Sequence, residues 1–385
     1  MKKQRIIFII ILCLYGLGLF LLNTRIEKAS FYADGDMYFA PATVTMVIED
    51  NTAGAYVNSG DQTVKVKITG GKFEGLTATA TNMNGYLYGT YCKKGTHVII
   101  QVSEYNGSLS ASVYSFDRRP GMYIIAASLA AALIFVGRRK GVSSTLALIF
   151  TFVTIIFLYL PLLYIGVSPF LAAVIAVIII TLVSVYLICG LNDKGFCAAF
   201  GTITGVIIAG LFAWIFGKLL RIDGYNVNDI ENLVYVADNC KLDIGGLLFS
   251  GILIASLGAV MDVAVSISAS LLELKEKKPE ITSSELFRSG MNIGKDMTGT
   301  MSNTLILAFA GSSINTMILI YAYSMPYLQV IDMTEIGIEV IRGFAGTLGI
   351  VLSVPLVSFY CSRVYSDKSG KNKRKEEISS EAEEP

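Results

Sequence analysis

Charge is scarce in this sequence. Only 16% of its 385 residues are Asp, Glu, Lys or Arg, against about 25% in soluble domains. Histidine is almost missing, with His97 alone. One His without Cys partners reads as a half-exposed sheet residue, not a metal ligand. The six cysteines, Cys13, Cys92, Cys189, Cys197, Cys240 and Cys361, form no CxxC and no metal-ligand spacing. Four fall in or beside apolar runs, where they act as small hydrophobes. Cys92 and Cys240 lie outside those runs, and spacing leaves a disulfide between them open. Net charge is +1 with no basic patch, so nucleic acid is excluded as a partner. A nucleotide loop is also missing. "SGMNIGKD" has the spacing G-x-x-x-G-K-D, without the extra residue and the Ser/Thr that would hold Mg²⁺. No cofactor and no metal site is expected.

What is present is hydrocarbon. Hydrophobic residues make up 53% of the chain, and mean hydropathy is +0.60. Long apolar runs at this charge density indicate an integral membrane protein, with the lipid bilayer as its first partner. A basic start, "MKKQR", leads into an apolar run from Ile6 to Leu22. A signal peptide has a similar shape, but no A-x-A cleavage site follows, so residues 1–23 read as a retained anchor. Seven further spans are expected near 121–137, 142–164, 168–190, 197–219, 244–271, 301–324 and 339–362. That makes about eight in all, with a seven-helix membrane domain over 121–365 and a cytoplasmic segment at 272–298.

Residues 24–118 differ. "TVTMVIED", "TVKVKITG", "LTATATN", "THVIIQVS" and "SLSASVYSF" are short, β-branched and alternating, with Gly-rich turns between them. Five such strands predict a small all-β barrel, OB-like or SH3-like. Lys and Arg near the span ends set the orientation. "KKQR", "GRRKG", "NDKG", "ELKEKK" and "KSGKNKRK" all fall on one side, with Arg118 and Arg119 dissenting. Both termini are therefore expected in the cytoplasm and the barrel outside. The tail, residues 366–385, is a basic block followed by an acidic one and reads as disordered.

The informative residues are polar ones inside apolar runs. "GAVMDVAVSIS" places Asp262 18 residues past Ile244, roughly 27 Å along a helix. Ser266 and Ser270 follow at i+4 and i+8 on the same face. In the next element Thr282 and Glu285 form a capping box, and an interfacial segment around Leu286 and Phe287 should follow. Gly290 and Gly294 should weaken the helix as it re-enters the membrane. Asn292, Asp296, Thr300 and Asn303 then recur at i, i+4, i+8 and i+11. Ser312, Ser313 and Asn315 continue the polarity to a plausible helix break. The sixth and seventh spans are joined by a short segment and should be neighbours. Asp262, Ser266, Asp296, Thr300 and Asn303 then form a candidate ion or substrate site, lined further by Asn292, Ser270, Ser312, Ser313 and Asn315. Oxygen-rich clusters with one or two carboxylates suit Na⁺ or another hard cation. The structural alternative for Asp262 is an interhelical hydrogen-bond staple. For Asp296, expected nearer the surface, it is a solvated carboxylate.

"GAVMDVAVSISASL" followed by "ELFRSGMNIGKDMTGTMSNTLILAFAG" resembles the YibE/F family of bacterial multi-pass membrane proteins. The resemblance extends over nearly the whole chain and implies an anchor, an outer β domain and seven further spans in a bacterial cell membrane. Two departures stand out: Ser268 where an alanine is frequent, and Thr298 where an apolar residue is common. Neither touches Asp262, Asp296 or Asn303.

Three functions fit these residues. The first is a permease or ion-coupled secondary transporter for a small solute or monovalent cation. The second is an envelope sensor or assembly scaffold whose outer barrel binds a protein, peptide or glycan. The third, an intramembrane aspartyl hydrolase using Asp262 and Asp296, lacks the expected GxGD motif. The chain therefore reads as a non-enzyme.

Overall fold

The computed structural model describes residues 2–26, 37–54, 58–85, 90–105, 108–225 and 230–381. It divides into two compact units, residues 28–132 and residues 1–27 with 133–385.

Strict alternation builds the first unit. Strands β1 (Met37–Asp50), β2 (Gly60–Ile68), β3 (Thr77–Asn84), β4 (His97–Tyr105) and β5 (Ser108–Phe116) each hold most or all of one of the five runs read from the sequence. They close in the order β1-β2-β3-β5-β4, with β4 returning to β1. Every pairing is antiparallel except the short parallel contact of β3 with β5 at Ala80↔Ala111 and Thr81↔Ser112. This order distinguishes the two small barrels in favour of the OB type. Val44, Val64, Val66, Val98, Ile100 and Val102 point inward and are all but inaccessible, as the two-residue period requires. Thr63, Lys65, Thr79 and Thr81 alternate outward.

Cys92 belongs to that core. It is 1% exposed, and its backbone N–H donates to Gln62 Oε1 at 2.8 Å. It is a free thiol, as are the other five cysteines, including half-buried Cys240. The disulfide left open by spacing is therefore not formed, because Cys92 is enclosed by its own barrel. His97 lies at the edge of β4, with Nδ1 3.1 Å from Thr43 Oγ1, as the sequence predicts.

The second unit is helical. Helix α1 (Lys2–Thr24) is the basic-then-apolar start. Helix α2 (Arg119–Thr154) is interrupted at Arg138, where φ is 48° and ψ is −122°. A Cβ on Gly141 would stand 2.0 Å from the Leu133 carbonyl oxygen. Residues eight apart in an unbroken helix are separated by about 12 Å, so the chain turns sharply here. The turn falls between the spans expected at 121–137 and 142–164. A π-helical turn at Ile155–Tyr159 and a short helix α3 (Leu160–Tyr164) follow, with Pro161 in the first turn of α3. Next come α4 (Pro169–Cys189), α5 (Asp193–Leu219), α6 (Ile230–Asn239), α7 (Ile244–Lys277), α8 (Ser283–Ser312), α9 (Ile314–Ala322), α10 (Tyr327–Ile331) and α11 (Thr334–Glu381).

Among the described residues, five helices are long and apolar enough to cross a membrane, or six if the bent pair α8 and α9 is one span. The expected count of about eight is not reached on these criteria for two reasons. The turn at Arg138 lies inside a segment counted once, Arg119–Tyr164, and the apolar part of α1, Ile10–Thr24, is short.

Small residues let α5, α7 and α11 approach closely. A Cβ on Gly201 would lie 2.0 Å from Val357, and one on Gly205 would lie 2.7 Å from Val260 and 2.8 Å from Ser353. The GxxxG spacing in α5 is thus a packing device. Helix α11 runs from Thr334 to Glu381. Residues 382–385 lie outside the described residues.

Candidate functional site

The site is built on α7 and α8. The capping box at the start of α8 is present. Glu285 N–H donates to Thr282 Oγ1 at 3.2 Å, and Thr282 N–H donates to Glu285 Oε2 at 2.9 Å. From there α8 is one uninterrupted helix to Ser312. The separate interfacial segment and the weakened re-entry at Gly290 and Gly294 are not found. Leu286 is fully buried, which anchors the first turn into the bundle instead of along its surface. Both glycines serve close approach: a Cβ on Gly290 would lie 2.6 Å from Ser358 Oγ, and one on Gly294 would lie 2.1 Å from Val354. The break comes later, where the sequence predicts it. Helices α8 and α9 meet at Ser313 with a 63° bend.

Two crossings set the axial relation of α7 and α8. Leu271 Cδ1 lies 3.0 Å from the Cβ position of Gly290, while Ser256 and Leu305 both flank Gly346, at 3.7 and 2.7 Å. The crossings are fifteen residues apart on each helix, so the helices run antiparallel and in step. Nine residues from the first crossing, Asp262 is level with Gly299. Ser266 is level with Lys295, and Gly258 with Asn303. The sequence-predicted residues Asp262, Ser266, Asp296, Thr300 and Asn303 thus share one stretch of membrane depth. Ser270 and Asn292 lie about two turns toward the Lys277 end of α7. Ser312, Ser313 and Asn315 are 13 or more residues beyond Gly299, at least about 20 Å along the helix, and are not brought to the site.

Depth follows from the charged ends of α7. Asp243 caps it, accepting from Gly246 N–H, and Glu273 is thirty residues on, about 45 Å at helical rise. A hydrocarbon core about 30 Å thick centred between them takes in about residues 248–268. The matching stretch of α8 is about residues 293–313. On this placement α8 enters the core near residue 293, and Asp296 lies about three residues, roughly 5 Å, inside that edge. Lys295 joins it there. Nothing in the sequence alone marked this lysine, because its closeness to Asp262 arises only through the register of two antiparallel helices.

Asp262, Lys295, Asp296, Thr300 and Asn303 are all exposed on the outside of the helix pair, and Ser266 is half-buried. Among the described residues, no hydrogen bond or ion pair forms at Asp262, Ser266, Asp296 or Asn303. Thr300 Oγ1 donates to the Met297 carbonyl at 3.0 Å, and Ser312 Oγ donates to the Phe309 carbonyl. Asp262 is therefore not a staple between α7 and another described helix. Around Asp262 the same face carries Gly251, Ala255 and Gly258. A Cβ on Gly251, Gly258 or Gly299 would meet nothing within 4 Å.

A family model described as "YibE/F-like protein" matches residues 125–367. The chain belongs to this family. The match covers more than half of the chain and includes every candidate site residue, whereas strands β1 to β5 lie outside it. The resemblance is thus carried by the helical unit and not by nearly the whole chain. No curated protein and no solved structure gives a significant match.

Two structural roles emerge that the sequence did not reveal. Ser268, one of the departures noted above, donates through Oγ to the Lys194 carbonyl at 2.8 Å and lies 2.9 Å from the Tyr365 hydroxyl. It ties the start of α5 to α11 through α7. A cavity of about 530 Å³ also opens near Pro169, Leu211, Trp214, Asp243 and Phe249. Its lining is mostly apolar, and the Asp243 carboxylate there is engaged as the cap of α7. Among the described residues, no three His, Cys, Asp or Glu side chains gather as a metal site.

Proposed function

We propose that this chain is a permease or ion-coupled secondary transporter for a small solute or monovalent cation. In this reading it is a non-enzyme of the bacterial cell membrane, with both termini cytoplasmic and the barrel outside. The carrying observation is that Asp262, Lys295, Asp296, Thr300 and Asn303 lie within about 12 Å of one another along the antiparallel helices α7 and α8. An ionised group at the centre of a span costs about 2.5–3.5 kcal/mol on insertion scales, and Asp262 is the carboxylate nearest that centre. Such residues face water, a ligand or a protein partner, and they mark ion or substrate paths. The bend between α8 and α9 adds support, since broken helices form the binding sites of many carriers. Oxygen donors from Asp262, Ser266, Asp296, Thr300 and Asn303 suit a hard cation.

The test is cation or solute flux into proteoliposomes holding wild-type protein or Asp262→Asn. Wild-type flux reduced at least tenfold in the variant supports the proposal. Equal flux in both, or none from wild type across a broad solute panel, counts against it.

A second reading, an envelope sensor or scaffold, is favoured by the barrel's self-contained core. Affinity capture with the full chain and with a chain lacking 28–118 separates the two. A partner lost with the barrel supports the scaffold.

A further inference from the structure

We propose that the exposed polar face of α7 and α8 is the contact between two copies of this chain, related by a twofold axis along the membrane normal. Acyl chains offer neither donors nor acceptors, so a lipid-facing surface holds Asp262 and Asn303 well inside the hydrocarbon, and Lys295 and Asp296 nearer its edge, only at a cost. Yet all four are exposed. Among the described residues, nothing in the helical unit covers this face.

Its shape suits a helix partner. The glycines of α8 that face the bundle, Gly290 and Gly294, are crowded, whereas Gly251, Gly258 and Gly299 are open for 4 Å around their Cβ positions. With Ala255 they form a shallow surface that lets another backbone come close.

Charge decides that the occupant is a second copy. A twofold axis along the normal preserves depth, so each residue meets its partner's residues at its own level. Lys295 is level with Ser266, one turn from Asp262, which is about 6 Å axially and within a lysine's reach. Asp296 is its chain neighbour. The lysine of each copy therefore meets carboxylates of the other. An isologous interface requires this self-complementarity, and an unrelated partner would have to match the pattern independently. Two carboxylates against one lysine leave one carboxylate unpaired in each copy. That surplus is what a cation site between the copies needs. This last step rests on the transport reading, whereas the dimer itself does not.

The test uses the full chain in its native membrane, with exposed Cys13 replaced by Ser. Ala255→Cys and Gly258→Cys are oxidised with copper–phenanthroline, alongside Ile207→Cys on α5. The expected result is a reducible species of twice the chain mass at position 255 or 258 and none at 207. The mass of unsubstituted protein extracted in polymer-bounded lipid discs, which needs no variant, should correspond to two copies. A single copy per disc, with no dimer band at 255 or 258, overturns the proposal. A cross-link within one chain, or to a different protein, overturns it as well. Dimers without flux would sink the transport reading alone.

Discussion

Gly294 of α8 lies so close to Val354 of α11 that a Cβ on the glycine would fall 2.1 Å from Val354 Cγ1. Val354 is itself 2% exposed and has no room to withdraw. Gly294→Ala should therefore destabilise the protein by about 1–3 kcal/mol, the usual range for overpacking. Gly16→Ala on α1, with nothing within 4 Å of its Cβ position, should be tolerated. Thermal unfolding of the detergent-solubilised protein distinguishes the two, and equal midpoints for both variants would contradict the packing described.

Ser268 bridges three helices through one hydroxyl. Ser268→Ala removes the donor to the Lys194 carbonyl and one partner of the Tyr365 hydroxyl. Tyr365 keeps a bond to the Ser268 carbonyl, so only part of the network is lost. The expected destabilisation is about 1–3 kcal/mol, the cost of leaving a buried polar group unsatisfied. Wild-type stability in the alanine variant would show that the bridge carries no net energy.

Cys92 should be chemically silent in the folded protein. Burial in the barrel pushes its thiol up to about 11, so almost no thiolate exists at neutral pH, and thiolate is the reactive form. Iodoacetamide should leave Cys92 unmodified until the barrel unfolds. Peptide mapping without reductant should find no Cys92–Cys240 bond. Rapid alkylation of Cys92 in folded protein, or that disulfide in the map, would refute the enclosed thiol.

Asp50 should titrate below ordinary aspartates. Its carboxylate accepts from the Thr52 hydroxyl at 2.6 Å, the Thr52 N–H at 3.1 Å and the Tyr91 hydroxyl at 3.1 Å. The Thr52 hydroxyl is the largest influence holding its pKa down. A lowered folded value means the carboxylate's stabilising effect is fully present above the unfolded value of about 3.9 and is lost as pH falls through the folded value. Carboxyl carbon shifts followed by NMR should place the Asp50 midpoint below the ordinary aspartate value. Asp50→Asn should weaken the dependence of stability on pH in that acid window. A midpoint at the ordinary value would remove the effect.

Most of the architecture was legible because it follows from local pattern. Two-residue alternation located all five strands, and the Thr282–Glu285 spacing located the start of α8. Asp262 stood out as a charge in an apolar run. What sequence could not supply was registration between distant elements. The depth of Asp296 and the axial closeness of Lys295 to Asp262 depend on which residues of α7 and α8 cross, and those crossings are set by Gly290 against Leu271 and Gly346 against Leu305. The packing role of Gly290 and Gly294 is hidden for the same reason. A helix-weakening glycine and a close-packing glycine look alike until the facing side chain is known. The OB strand order likewise needed the β3–β5 contact, which joins residues thirty-one apart, Ala80 and Ala111.

The most direct measurement is an experimental density map of the protein in lipid nanodiscs, resolved well enough to see what touches Asp262. The account predicts ordered water, an ion or a second copy of the chain against the carboxylates of Asp262 and Asp296. Acyl chains packed directly on both carboxylates, with no polar density beside them, would contradict it.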